Sequence, residues 1–497
     1  MSDRSEKIYE GITNIDDKII EEAQDVSASV SASVSASVST SAPTFVSGKT
    51  RGIRPRKWWM SAVAAVLVMV IALGIILRPG GNGSIAIGAI AEPDYPEMPA
   101  FPTDENAKDY HDRYIAWADS IKQSREYTVP EALSTFTEDI VQEYLHDAGE
   151  TNRVVSPVNL YLSLCLLAEV TDGNSRSQIL SLLGTDSVQT LRKRAADLWN
   201  ASYRDDGTFT SVLANSVWLN DRISFKQKTM DTLADKYYAS SYRGVMGSAE
   251  FDKMLQDWIN ARTGNLLEEQ TQDLKMDPST IMALVSTINF HAAWDDEFFE
   301  KVTSESVFHA PSGDVTVDMM HGGADVYYQG EKFGAVSRRL ARFMGDMYFI
   351  LPDEGVSIDE LLADPEALRF LGSRTDWENT SSPMIHLSLP KFDVVSDLEL
   401  IDGLAKLGIT DIFDPSVSDF TPMTEDVDEL YVSTAEHAAR VAIDEEGVIA
   451  AAYTVYMVAE GAALIADEID FVLDRPFLFV IAGPADQTLF VGVVNQP

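Results

Sequence analysis

The sequence predicts an α+β fold over one large domain, residues 129–497, preceded by a single transmembrane helix at 58–78. Three observations carry this expectation. Helical periodicity marks the first part of the domain, at 139–144, 160–170, 177–183 and 191–202. Strand-like runs follow at 211–219, 281–290, 348–351, 385–394 and 489–494. Helices thus come first and strands later, which favours α+β over a regular βαβ alternation. Ahead of both, residues 60–77 carry no charged side chain, a run long enough to cross a bilayer as a helix.

Taken in order, residues 1–57 read as a mostly disordered cytoplasmic tail. Ile8, Ile12, Ile15 and Ile19 fall at helical spacing among acidic neighbours. So short an amphipathic helix is marginal alone, so residues 8–23 are candidates for binding a cytoplasmic protein partner. The stretch 12–23 resembles short intracellular segments that precede membrane anchors in some bacterial anti-sigma-like proteins, which implies a bacterial source. A Ser-Ala-Ser-Val repeat follows through Ser39, a low-complexity tract that cannot build a core.

Trp58 and Trp59 sit where an interfacial aromatic belt would lie. Lys49, Arg51, Arg54, Arg56 and Lys57 precede the span, and Arg78 is the nearest base after it. The positive-inside rule puts the N-terminus in the cytoplasm and the rest outside. A cleaved signal peptide competes, but the basic stretch ahead is long for one. Residues 79–128 read as an extracellular tether rich in Gly and Pro, then a stalk helix near 105–126 with Tyr110, Tyr114, Trp117 and Ile121 close to one face.

Composition narrows the chemistry. A net charge of −40 argues against nucleic-acid partners, because phosphates would be repelled. One cysteine, Cys165, excludes an intramolecular disulfide framework and any multi-cysteine metal site. The histidines are scattered without ligand spacing, so neither metal nor cofactor is expected. No Gly-x-Ser-x-Gly elbow occurs, and Gly48-Lys49-Thr50 has Pro43 where a phosphate loop needs its first glycine. The chain does not read as an enzyme.

What does stand out is a long connection between a strand-like run ending near Ile443 and the apolar run that begins at Pro476-Phe477. It opens with Asp444, Glu445, Glu446 and Gly447, then Val448, Ile449, Ala450, Ala451 and Ala452. Gly447 tolerates backbone angles that other residues resist, so the chain can pivot there. Small side chains after the pivot let the segment slide between two formed strands without overpacking. Connections this long are functional or disordered.

These residues resemble the hinge and reactive-centre loop of the serpins. Further short matches run in order over roughly 370 residues: Val155-Ser156-Pro157-Val158-Asn159-Leu160, Ala214-Asn215-Ser216-Val217-Trp218, Trp258-Ile259-Asn260, Leu284-Val285-Ser286-Thr287 with Trp294, Leu389-Pro390-Lys391-Phe392 and Gly492-Val493-Val494. The resemblance implies a serpin fold: three β-sheets, about nine helices and an exposed reactive-centre loop. It implies a serine protease inhibitor that acts as a suicide substrate, displayed here on the outer side of the membrane. The hinge would be Glu445, Glu446, Gly447, Val448, Ala450, Ala451 and Ala452, with Lys391 pairing Glu445. Ser156, Asn159, Ser286 and His437 would form a hydrogen-bond network under the gap in the largest sheet. The family commonly has Asn where Ser286 stands, and a hydroxyl reaches less far.

Counting forward from Gly447 by the family's spacing puts the reactive bond at Gly461-Ala462; counting back from Pro476 puts it at Ile465-Ala466. Small residues there suit an elastase-like protease, whereas Met457 or Leu464 suits a chymotrypsin- or subtilisin-like one, and Glu460 leaves an acid-specific protease open. Ile449 and Tyr453 depart from the family's small or acidic residues, which keeps a non-inhibitory serpin, a surface-binding or adhesive module, as the alternative.

Overall fold

The computed structural model describes residues 63–74, 88–91, 93, 95, 98, 99, 107–120, 127–206, 209–265, 267–341, 345–427, 429–445 and 467–497. The chain opens with β1 (Val63–Gly74), β2 (Gly88–Ala91), α1 (Ala107–Ser120), α2 (Glu131–Leu145), β3 (Arg153–Val155), α3 (Pro157–Val170), α4 (Gly173–Leu182) and α5 (Val188–Ser202). Next come β4 (Arg204–Asp205), β5 (Thr210–Asn220), α6 (Gln227–Tyr237), β6 (Ala239–Gly244), α7 (Ala249–Arg262), α8 (Glu268–Thr271) and β7 (Thr280–Ala292). The third part holds β8 (Ser304–Ala310), β9 (Gly313–Gly323), β10 (Val326–Gln329), β11 (Phe333–Arg339), β12 (Asp346–Pro352), α9 (Ile358–Leu362), α10 (Pro365–Gly372) and β13 (Thr380–Ser381). The chain closes with β14 (Met384–Pro390), β15 (Phe392–Glu399), α11 (Ile401–Lys406), β16 (Tyr431–Ile443), β17 (Glu468–Val472), β18 (Phe477–Ala482) and β19 (Thr488–Val494).

Three sheets form among the described residues. The largest runs β15-β16-β1-β7-β5-β6-β2, with β4 on β5; the second runs β13-β10-β11-β12-β18-β19-β3; the third runs β17-β14-β9-β8. Helix α3 ties the first two together. Every one of its residues is buried, and it packs against both β7 and β19. Its start is set locally: Pro157 fills the first helical turn, where no amide partner is needed, and the Ser156 hydroxyl accepts from the Asn159 amide at 3.3 Å. Cys165 lies within α3 and is buried.

The transmembrane helix expected at 58–78 is not what the structure describes. Residues 63–74 form β1, paired antiparallel with both β7 and β16. Among the described residues no helix is long and apolar enough to cross a membrane. The physical reason is an ambiguity of pattern. An unbroken apolar run rich in Val and Ile suits a strand buried on both faces as well as a helix in lipid. Since β1 runs antiparallel to both neighbours, β7 and β16 run parallel to each other across it.

Part of the stretch read as tether and stalk packs onto the domain. Strand β2 adds to the free edge of β6, with Gly88 opposite Arg243 and Ala89 opposite Tyr242. Tyr95 packs against Trp199, Tyr203 and Tyr238, with ring centroids 5.9, 6.5 and 6.2 Å away, and its hydroxyl donates to the Tyr238 carbonyl at 3.3 Å. The Arg262 guanidinium lies 5.0 Å from the Tyr95 ring centre. Met98 and, on α1, Trp117 are buried in the same core. The tail over 1–57, with its candidate partner-binding residues 8–23, lies outside the described residues.

Candidate functional site

Strand β16 leads to the site. Its side chains largely alternate between the core and the other face, with Val432, Ala435, His437, Ala439, Val441 and Ile443 buried. Beyond Ile443 the chain is held by contacts to its backbone and to the Glu445 side chain. The Trp294 indole donates to the Asp444 carbonyl at 2.9 Å, and the Phe298 amide donates to the Glu445 carbonyl at 3.2 Å. The Glu445 carboxylate meets Lys391 Nζ at 2.8 Å and accepts from the Thr303 hydroxyl at 2.7 Å.

Only 7% of the Glu445 side chain is exposed, so its charge depends on these partners. Burial pushes its carboxyl up, but the bonds from Lys391 and Thr303 outweigh that and hold it below the usual carboxylate range. Lys391 and Glu445 were both expected here from the sequence. Thr303, Trp294 and Phe298 carried no sequence signal for this role, since each acts through its place in the fold.

The four residues expected under the gap do not close into one network. The Ser156 amide donates to His437 Nε2 at 3.2 Å, which joins the start of α3 to β16. Ser286 instead donates to Asn215 Oδ1 on β5, at 2.6 Å. The reason is register: Met69 of β1 stands opposite both His437 and Ser286. Two strand spacings, roughly 10 Å, therefore separate the β16 and β7 positions, too far for one hydrogen bond. The Asn159 side-chain amide and His437 Nδ1 are buried and have no hydrogen-bond partner among the described residues. Burial pushes the His437 imidazole down to about 3, so it is neutral at ordinary pH. Asn215 is the residue sequence reasoning passed over, although it sits in a quoted motif.

The hinge residues Glu446, Gly447, Val448, Ala450, Ala451 and Ala452, and the candidate bond Gly461-Ala462, lie outside the described residues. On the far side the chain is fixed again. The Met384 amide donates to the Asp467 carbonyl at 2.9 Å, and β17 pairs in parallel with β14. The described chain thus leaves the largest sheet at Glu445 and resumes beside the smallest at Asp467. Immediately beside its departure lies the seat between β16 and β7. A segment turning back from β16 into that seat would run antiparallel to both, as β1 does.

Residues 131–497 match the family model described as Serpin (serine protease inhibitor). The chain belongs to the serpin family. Among relatives, alpha-1-antiproteinase 2 of Equus caballus is 27% identical over 390 residues, covering 76% of this chain and 89% of that protein. The leukocyte elastase inhibitor of Sus scrofa is 28% identical over 364 residues, covering 70% and 93%. Tengpin, a thermophilic serpin solved in its native state, shares the fold with a TM-score of 0.65 at 22% identity, over 75% of this chain and 96% of that one. The serpin fold is therefore present.

Proposed function

We propose that this serpin inhibits serine proteases as a suicide substrate through the loop at 446–466. The observation that carries the reading is the clamp on Glu445. It fixes the loop's point of departure at the mouth of the seat between β16 and β7, the place a cut loop would take once β1 leaves it. A protease serine attacks the carbonyl of the residue before the scissile bond, for which Gly461-Ala462 is the candidate. The amine of Ala462 leaves with a proton from the protease histidine, and an acyl-enzyme remains. The freed N-terminal half then pivots at Gly447 and enters the sheet, with Ala450, Ala451 and Ala452 small enough to pass. Backbone pairing drives that step, and the acylated protease is carried along before water completes deacylation. The chain itself does no catalysis and needs no cofactor. The small residues near the bond, and a relative named as an elastase inhibitor, support an elastase-like target ahead of chymotrypsin- or subtilisin-like ones.

Display on the outer side of a bacterial membrane is part of the proposal. The uncharged run, the Trp58-Trp59 pair and the upstream basic residues support it. So does the position of β2, which starts beside Arg243 at the end of the sheet where β16 begins, about 40 Å of strand from where the loop departs. An anchor just ahead of β2 would leave the loop facing away from the bilayer.

A second reading, a non-inhibitory surface-binding or adhesive module, is favoured by one observation: β1 fills the seat that the loop needs. The test is to reconstitute the full chain in phospholipid vesicles and incubate it with elastase-, chymotrypsin-, subtilisin-, trypsin- and glutamyl-type proteases. A boiling-stable band of summed mass on a denaturing gel is expected with at least one. Simple cleavage by every protease would overturn inhibition and leave the binding module.

A further inference from the structure

The segment read as a membrane span and the slot needed by the loop meet in one place. Strand β1 takes the seat between β16 and β7 along nearly its whole length, from Ala64 opposite Ala442 and His291 down to Leu73 opposite Val432 and Met282. It runs in the direction a returning loop would take, antiparallel to both neighbours. With β1 seated, the facing backbone groups of β16 and β7 already have partners, and a second strand cannot enter.

The length of chain between β1 and β2 permits this placement. β1 ends with Gly74 near Thr280 and Tyr431, and β2 starts with Gly88 opposite Arg243, both at the same end of the sheet. Three strands, β7, β5 and β6, intervene, so β1 and β2 lie roughly 19 Å apart at 4.8 Å per spacing. The chain from 74 to 88 reaches about 46 Å when extended.

We propose that residues 63–74 are an intramolecular plug that closes the loop's slot, and that transfer of this segment into lipid opens it. The inference rests on the suicide-substrate reading for its consequence, but the plug itself is testable without any protease. The two placements exclude each other: β1 in the sheet is extended over about 40 Å, whereas a span needs about 20 residues wound into a helix. A soluble, unanchored chain is therefore held closed, and inhibition is confined to copies whose N-terminal segment lies in a bilayer.

The experiment uses the full chain with paired cysteines across the register, Val68→Cys with Ala438→Cys and, for the other pairing type, Leu67→Cys with Ala439→Cys. Cys165 is buried and does not compete. Mild oxidation in lipid-free solution is expected to cross-link most of the protein in at least one pair. The cross-linked form should then exclude a labelled synthetic peptide of residues 448–459. The reduced form in phosphatidylglycerol–phosphatidylethanolamine vesicles should bind it at least tenfold better. Absence of a cross-link in both pairs overturns the plug, as does peptide binding that is equal in both states. Covalent capture of a protease by the reduced, vesicle-bound form is scored separately. Its failure together with a formed cross-link and an excluded peptide counts against suicide inhibition and leaves the plug standing.

Discussion

Lys391, Thr303 and Glu445 make the tightest polar knot at the loop's departure, and single substitutions there should be felt. Lys391→Met leaves a carboxylate that is almost fully covered without its main counter-charge. A loss of about 2 kcal/mol in unfolding free energy is expected, with partial recovery in Lys391→Met/Glu445→Gln; a denaturant titration checks both. His437 sets a pH dependence. Its folded-state value of about 3 lies below the unfolded 6.5, so the unfolded chain takes up the proton first. Stability from this group is complete above pH 6.5 and falls as the pH drops towards 3, by at most about 1.4 kcal/mol per unit. His437→Gln removes that slope, so the stability gap between wild type and variant should narrow from pH 7 to pH 4. A gap that widens on acidification contradicts the assignment. Lys391, Glu445 and His437 were legible because each sits in a short motif of fixed order. Asn215 was not, because its role arises from Ser286 turning away across the sheet.

Among the elements, β2 and the residues after it show how packing overrides a local pattern. Pro93, Pro96, Pro99 and Pro102 read as a tether, and nothing local distinguishes Tyr95 from a linker residue. Its ring is nonetheless half-buried against Trp199, Tyr203 and Tyr238, and burial pushes its phenol up. Tyr95→Ala should therefore cost about 2 kcal/mol, less than emptying a fully buried aromatic site, and lower the melting temperature by several degrees. An unchanged melting curve would return residues 79–128 to the role of a loose tether. Strand β1 is the other case. Its composition satisfies a bilayer and a sheet interior alike, and only the presence of a strand-wide seat elsewhere in the chain distinguishes them.

At the level of the whole molecule, the α+β class and the order of the domain's elements could be read from the sequence, because short motifs recur in one order along the domain. What could not be read is the state of the largest sheet. Whether a seat is empty or filled depends on contacts between residues more than 200 positions apart, such as Met69 with Ser286 and His437. The central claim is that the cut loop becomes a strand of that sheet. The most direct measurement is the melting temperature of the full chain in phospholipid vesicles, before and after one cut within 446–466. A dozen inserted residues add roughly ten backbone hydrogen bonds at about 1 kcal/mol each, so a rise of about 10 °C or more is expected. A melting temperature that stays level or falls after the cut would contradict loop insertion, and with it suicide inhibition.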